Sequence, residues 1–258
     1  MKDITIGILA WKSQKTLTHT LNSYKQHGLL DIIHPFIYFQ ERTAKLDAHA
    51  AEYGIDDVIG TRANIGIFNA FLEMLKHTKT KYFIFAECDF ELIHGKRKTI
   101  EVLSECIRLM EEKNVDVVRL RDKKDPGDPL YARTAIKKSG KELQDHDFGD
   151  SYPYKLDTLH FIKDPVKKFP GAFQKVRYEN DWLIDISKDI WWTNNITIMK
   201  MDFVKKRLIP MMTRGACRKG MYKSVEKVEK LEHCLSDKLK NYRVAGGVGL
   251  FRHNRLDR

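Results

Sequence analysis

Through residue 120 the chain alternates short runs of β-branched and aromatic residues with segments of helical periodicity, and this alternation constrains its fold more than any other feature. Ile4-Thr5-Ile6-Gly7-Ile8-Leu9-Ala10 is almost wholly apolar, as a parallel strand covered on both faces requires. Ser13 or Thr16 is placed to cap the next segment, where Leu17, Leu21 and Tyr24 recur at helical spacing until Gly28. The unit then repeats, with a strand near Phe36-Phe39, a helix over 43–53 and a short strand around Asp57-Val58-Ile59. An amphipathic helix through Ile67, Phe68, Phe71, Leu72 and Leu75 precedes the central strand Lys81-Tyr82-Phe83-Ile84-Phe85-Ala86. A helix over 98–113 and the strand 115–120 complete the series. Such a series folds as an α/β domain, a mainly parallel central sheet with helices on both sides.

At 258 residues the chain is long enough for one domain of this kind with a C-terminal elaboration. After Arg121 the pattern changes: 123–129 is turn-rich and 140–175 lacks periodicity, so loops and a binding surface are expected there. The halves divide at 121/122. No run of about 18 apolar residues occurs, the N-terminus lacks the features of a signal peptide, and four well-separated cysteines suggest free thiols. A soluble, cytoplasmic chain is expected. An excess of 46 Lys+Arg over 35 Asp+Glu favours anionic partners and permits loose peripheral membrane contact. Much of that charge alternates with acids along segments such as 223–230, which reads as a solvated helix face.

In an open parallel sheet, ligands bind outside the carboxyl ends of the strands. Those ends hold Trp11-Lys12, Gln40-Glu41, Asn64-Ile65-Gly66 and Glu87-Cys88-Asp89. If the last triplet is extended, Glu87 and Asp89 point to the same side and suit Mg²⁺ or Mn²⁺, which keep positions open for phosphate oxygens. Acids at a strand end can also be simply solvated.

The order of these motifs resembles the GT-A fold glycosyltransferases, especially the family-2-like, mostly inverting ones. The resemblance covers the first 120 residues. Residues 4–26 match the first strand, loop and helix, Gln40-Glu41 stand where acids touch the base or ribose, and Asn64-Ile65-Gly66 repeats a helix-opening stretch. Glu87-Cys88-Asp89 occupies the place of the DxD metal motif, departing from it in its first acid. The resemblance implies a GT-A (Rossmann-like) domain with a donor-binding half (1–121) and an acceptor-binding half (122–258). Ala10, Trp11, Lys12, Glu41, Asn64, Gly66, Glu87, Cys88 and Asp89 are then expected around the nucleotide sugar, a UDP-sugar before a GDP- or dTDP-sugar. Asp89, with Glu87 and His253, is expected to hold Mn²⁺ or Mg²⁺. The acceptor would be a hydroxyl of a glycan or glycolipid.

Inverting transfer needs a carboxylate to take the acceptor's proton. Glu226 and Glu229, at an expected helix start, occupy the family position of that base. Glu179 and Asp181, between Tyr178 and Trp182, compete with them, since an aromatic beside a carboxylate suits sugar stacking and a raised pKa. They read equally well as the start of a capped helix, and Glu226 as part of a solvated face. His253 reads as a surface histidine or a ligand, and the adjacent Trp191 and Trp192, if in a strand, face opposite ways.

Three other readings compete. A sugar nucleotidyltransferase would need a glycine-rich phosphate loop after the first strand, and Ala10-Trp11-Lys12-Ser13-Gln14-Lys15 contains no glycine. A nucleic-acid-binding protein would explain the charge but predicts clustered basic and aromatic residues that are not found, so no nucleic acid is expected. An inactive sugar-binding relative would fit the Glu87 departure.

Overall fold

The computed structural model describes residues 1–127, 165–168, 171–186, 192–213, 218–222, 225–228 and 231–257. The expectations for Trp191, Glu229 and most of 140–175 lie outside the described residues.

Every element expected through residue 120 is present. They are β1 (Ile4–Ala10), α1 (Gln14–Gln26), β2 (His34–Gln40), α2 (Ala44–Ala51), β3 (Val58–Thr61), α3 (Gly66–His77), β4 (Tyr82–Glu87), α4 (Lys96–Glu112) and β6 (Val117–Arg119), with a short β5 (Phe90–Leu92) after β4. Downstream follow α5 (Pro165–Lys168), β7 (Phe173–Arg177), β8 (Asp181–Asp185), β9 (Thr197–Lys200) and a helical stretch made of α6 (Met201–Phe203), a π-helical segment Val204–Leu208 and α7 (Ile209–Thr213). The last elements are β10 (Arg218–Tyr222), β11 (Val225–Val228), α8 (Leu231–Lys238), β12 (Val244–Gly247) and β13 (Phe251–His253).

Nine strands form one sheet in the order β3-β2-β1-β4-β9-β6-β12-β8-β7. β1 pairs in parallel with β2 and β4, β2 with β3, and β6 with β12, whereas β9 and β8 run against their neighbours. The sheet is therefore mainly parallel and flanked by helices. Strands from both halves of the sequence share it, since β9 inserts between β4 and β6. Short sheets β13-β5 and β10-β11 complete the framework.

Both faces of the central strands are covered, which explains why they read as unbroken apolar runs. Ile84 and Ala86 of β4 pack with Leu17, Leu21, Leu103 and Leu109 of α1 and α4. The alternate residues Phe83 and Phe85 pack on the other face with Phe71 and Leu75 of α3 and with Trp192.

Several expectations fail for local reasons. Residues 225–228 form a strand of the hairpin β10-β11, so the Glu/Lys alternation is not a helix face, and the helix begins only at Leu231. Two β-branched valines, Val225 and Val228, end that strand and outweigh the charge pattern. Asp181 starts a strand instead of a helix, and Tyr178-Glu179-Asn180 form the turn of the β7-β8 hairpin. Trp192 precedes β9 rather than lying in it, and it is buried. Cys88 and Cys106 are free, but Cys234 is disulfide-bonded. The argument for a reducing compartment from thiols alone therefore loses its support. No helix among the described residues is long and apolar enough to cross a membrane.

Candidate active site

Two cavities open along the carboxyl edge of the parallel strands. The smaller, about 470 Å³, lies where β1 and β2 end, and its walls include Ala10, Trp11, Lys12, Glu41 and Asp257. Lys12 is the second residue beyond β1 and Glu41 the first beyond β2, and both are left-handed, with φ of 50° and 61°. In that region a Cβ is crowded against the backbone, so each strand end is held at a conformational cost. Their side chains pair at 3.3 Å, and Lys12 Nζ also lies over the indole of Trp11, itself exposed at the mouth.

The floor of this cavity is tied to the far end of the sequence. Ser13 makes no side-chain cap to α1. The carboxylate of Asp257 takes that role, accepting the Lys15 and Thr16 amides at 3.0 and 3.2 Å and the Thr16 hydroxyl. A carboxylate at the first turn meets amides that no intrahelical carbonyl can satisfy. Asn64 and Gly66 lie outside the cavity wall. Asn64 Oδ1 accepts the Gly66 amide at 2.8 Å, Gly66 adopts φ 77°, and Gln40 Oε1 accepts the Ile65 amide at 2.8 Å, which fastens this loop to the end of β2.

At the end of β4 the chain turns at Cys88-Asp89 before β5. The turn breaks the extended geometry that would have put Glu87 and Asp89 side by side, and no cluster of three or more His, Cys, Asp or Glu side chains suited to a metal occurs among the described residues. The expected trio of Asp89, Glu87 and His253 is thus reduced to a pair. β13 runs antiparallel to β5 with His253 opposite Phe90, and His253 Nε2 lies 3.2 Å from Asp89 Oδ2. Asp89 is buried, and its Oδ1 has no hydrogen-bond partner. A buried carboxylate oxygen left without a donor is costly in a native fold. The unpartnered Oδ1, with the imidazole nitrogen beside the other oxygen of the same carboxylate, offers donor types that a first-row divalent cation accepts, whereas Mg²⁺ prefers oxygen ligands alone. Cys88 is buried, and its thiol is pushed up to about 12 by burial first and then by Asp89 and Glu87. It lines neither cavity.

Behind this pair, buried Glu91 binds His19, Arg252 and Asn254, and Arg252 also holds Asp125 at 2.9 Å. Burial alone would raise the Glu91 carboxyl, but hydrogen bonds from Asn254, His19 and Arg252 and the Arg252 charge bring it below its ordinary value. The network fixes β13 on β5 and so places His253.

The larger cavity, about 1070 Å³, opens where β6 and β12 end and β8 begins. Asp181 lines it, with its carboxylate largely exposed and 3.8 Å from Arg177. Glu179 is exposed in the hairpin turn and is not part of the wall. The hairpin is held by buried Glu105 of α4, which accepts the Asn180 amide, Asn180 Nδ2 and Trp182 Nε1 at 3.0, 2.8 and 2.9 Å. Glu226 lies on β11. His94 and Asp122 also form part of the wall, with His94 Nε2 2.8 Å from Asp122 Oδ2 while Asp122 Oδ1 accepts the Lys124 and Asp125 amides at 2.7 Å. Gly249 lets β12 turn into β13 against this loop, since a Cβ there would lie 2.1 Å from the Arg121 carbonyl oxygen.

Asp257, His94, Asp122 and the lysines of the larger cavity escaped the sequence reading. Only Asp122, directly after a β-run and before a turn-rich stretch, carried a readable signal. Asp257 and His94 reach their sites through contacts distant in sequence.

No protein-family model matches the sequence, and no curated protein matches it. Solved structures do. The structure of S. aureus TarS 1-349 in complex with UDP-GlcNAc aligns with 100% of this chain and 60% of its own at 13% identity, with a TM-score of 0.54. S. aureus TarS 1-349 itself aligns with 98% and 60% at 12% identity and a TM-score of 0.53. The chain has the GT-A fold. At such identities the likeness is one of fold, and the chain spans about 60% of the length of the TarS structures it matches. Placed on the GT-A fold, the smaller cavity and the Asp89–His253 pair sit together at the ends of β1, β2 and β4, with the larger cavity beside them over the second half of the sheet.

Proposed function

We propose that this chain is a glycosyltransferase that moves a sugar from a nucleoside diphosphate sugar to an acceptor hydroxyl. The observation that carries this reading is the buried Asp89 carboxylate, with one oxygen beside His253 and the other lacking any hydrogen-bond partner, on the same sheet edge as the smaller cavity. TarS, which shares the fold, was solved with UDP-GlcNAc, and this supports a UDP-sugar as the donor.

In this proposal the nucleoside lies in the smaller cavity, against Ala10 and the Trp11 indole and within reach of Lys12 and Glu41. Asn64 and Gly66 shape the adjoining loop. Asp89 and His253 hold Mn²⁺ or Mg²⁺, with Glu87 nearby, and the cation when bound neutralises the departing diphosphate. Such a site needs few protein ligands, because phosphate oxygens and water complete the coordination. Asp257 keeps the first turn of α1 rigid behind the nucleoside.

The acceptor occupies the larger cavity, where Asp181 is the carboxylate placed to take the proton of the attacking hydroxyl. Direct displacement with inversion follows from a base on the acceptor side. Glu179, outside the cavity wall, and Glu226, on β11, serve less well in that role. Division of the chain into a donor half, 1–121, and an acceptor half, 122–258, belongs to the same proposal.

The test is a thermal-shift panel of UDP-, GDP-, dTDP- and CMP-sugars, each with Mn²⁺ and with EDTA, on wild type and Asp89→Ala. A metal-dependent shift with one nucleotide family, lost in Asp89→Ala, is the expected result. No shift with any donor would sink the reading.

A further inference from the structure

The positive charge of this chain is unevenly placed. The smaller cavity is electrically mixed, with Lys12 and Lys15 facing Glu41 and Asp257. The larger cavity gathers Lys98, Lys123, Lys124, Lys167 and Lys175 against Asp122 and Asp181. These lysines come from α4, the loop after β6, α5 and β7, so four separate parts of the chain converge on one space. Asp122 offsets one of these charges, with its oxygens accepting the Lys124 and Asp125 amides and facing His94. Asp181 has Arg177 nearby.

We propose that the larger cavity binds an anionic acceptor, a hydroxyl-bearing chain that carries phosphodiester or carboxylate groups. This rests on the reading of the chain as a glycosyltransferase and names the class of its acceptor. Lys98 is already paired with Glu101 and bonded to Asn180, so the surplus rests chiefly on Lys124, Lys167 and Lys175. A neutral glycan would gain nothing from these ammonium groups, whose mutual repulsion in a partly enclosed space eases when an anion arrives. In the glycosyltransferase reading the donor does not account for them, because its diphosphate is assigned to Asp89 and the ends of β1 and β4. Lysines suit the task because an ammonium is a point charge on a flexible stem, which follows anions at varied positions without the fixed fork of arginine. At about 1070 Å³ the cavity exceeds the usual 300–1,000 Å³ range of small-molecule sites, so it holds more than one unit of such a chain.

The test is equilibrium binding of four probes to the full chain: an oligomeric glycerol phosphate, an oligogalacturonate, neutral maltoheptaose and a single-stranded oligonucleotide. The proteins are wild type, Lys124→Gln/Lys175→Gln, and a control, Lys205→Gln/Lys206→Gln, altered at exposed residues of the π-helical segment outside the cavity. The phosphate or the carboxylate oligomer is expected to bind wild type and the control, to weaken by about tenfold in the cavity variant, and to weaken again when salt rises from about 50 to 200 mM. Whichever of the two binds more tightly identifies the anion. Equal binding of maltoheptaose, or equal binding of the anionic oligomers to the cavity variant and the control, overturns the proposal. An oligonucleotide that binds best, with the same lysine dependence, overturns it in favour of nucleic acid. The nucleotide thermal-shift panel on the cavity variant answers separately for the donor site, so failure of the acceptor class is not confused with failure of the glycosyltransferase reading.

Discussion

Lys12, two residues past the end of β1, and Glu41, the first residue past β2, both adopt left-handed backbone conformations and meet side chain to side chain at 3.3 Å across the smaller cavity. Two non-glycine residues in that region, facing each other, hold local strain where a ligand is to be gripped. Glu41→Gly relieves the strain on one side. We expect its melting temperature to equal or exceed that of wild type, by up to about 1 kcal/mol of stability, while its response to the preferred nucleotide weakens. Urea titration and the nucleotide thermal shift on the same protein separate the two effects.

Asp89→Asn keeps the shape of the side chain and removes its charge. With donor present at about 100 times its dissociation constant, wild type gains roughly 2.7 kcal/mol. The variant is expected to lose the Mn²⁺-dependent part of that gain and to keep its unliganded melting temperature within about 1 kcal/mol, because one carboxylate oxygen already lacks a donor. His253→Ala is expected to weaken the Mn²⁺ response less than Asp89→Asn does. Titration of Mn²⁺ against both variants, followed by the melting shift, tests the ranking.

Glu105 anchors the β7-β8 hairpin through three hydrogen bonds. Glu105→Ala leaves the Asn180 and Trp182 donors unpaired and is expected to cost about 3 kcal/mol. Its local effect falls on Asp181 and so on the wall of the larger cavity. A changed near-ultraviolet signal from Trp182, together with a lower urea midpoint, is the expected outcome.

The Glu91 carboxyl sits below its ordinary value in the folded chain, burial being outweighed by its bonds to Asn254, His19 and Arg252. A depressed carboxylate contributes stability that is fully present above its unfolded value of about 4.3 and is lost as pH falls through the folded value. Wild type should therefore lose melting temperature more steeply than Glu91→Gln as pH falls below about 4.3. Near neutrality the variant should be the less stable, by about 1–3 kcal/mol, because Arg252 and His19 lose their charged partner. Melting curves at intervals between these limits check both signs.

Gly249 passes so close to the Arg121 backbone that a methyl group there must displace main chain on one side or the other. Gly249→Ala is expected to destabilise the fold by about 3 kcal/mol. Because the same loop carries Asp122, weaker binding of the anionic oligomer at a temperature where the variant is still folded is expected as well.

The first 121 residues were legible because their signals are local. A strand buried on both faces writes an unbroken apolar run such as 82–86, and a helix between strands writes its own periodicity. The residues just past those strands could then be picked out by position. The rest of the chain resisted because its geometry depends on partners far away in sequence. β9 enters the sheet between β4 and β6, and nothing in Thr197-Ile198-Met199-Lys200 states which neighbours it will have. The Glu/Lys alternation at 225–228 fitted a helix as well as a strand, and hairpin pairing decided the matter. At the site, position in the family order brought Asp89 and His253 together, but the same order also proposed Glu87. The turn at Cys88-Asp89, a feature only three-dimensional packing reveals, takes Glu87 and Asp89 out of the extended register that would have aligned them.

The carboxylate that caps the first turn of α1 lies 241 residues beyond the Thr16 amide it accepts. During synthesis, β1, β2 and the start of α1 leave the ribosome early, yet the cavity they frame gains this wall only after Asp257 has cleared the exit tunnel. A ribosome-bound nascent chain that already contains β4 and Asp89 therefore still has an open, uncapped first β–α loop.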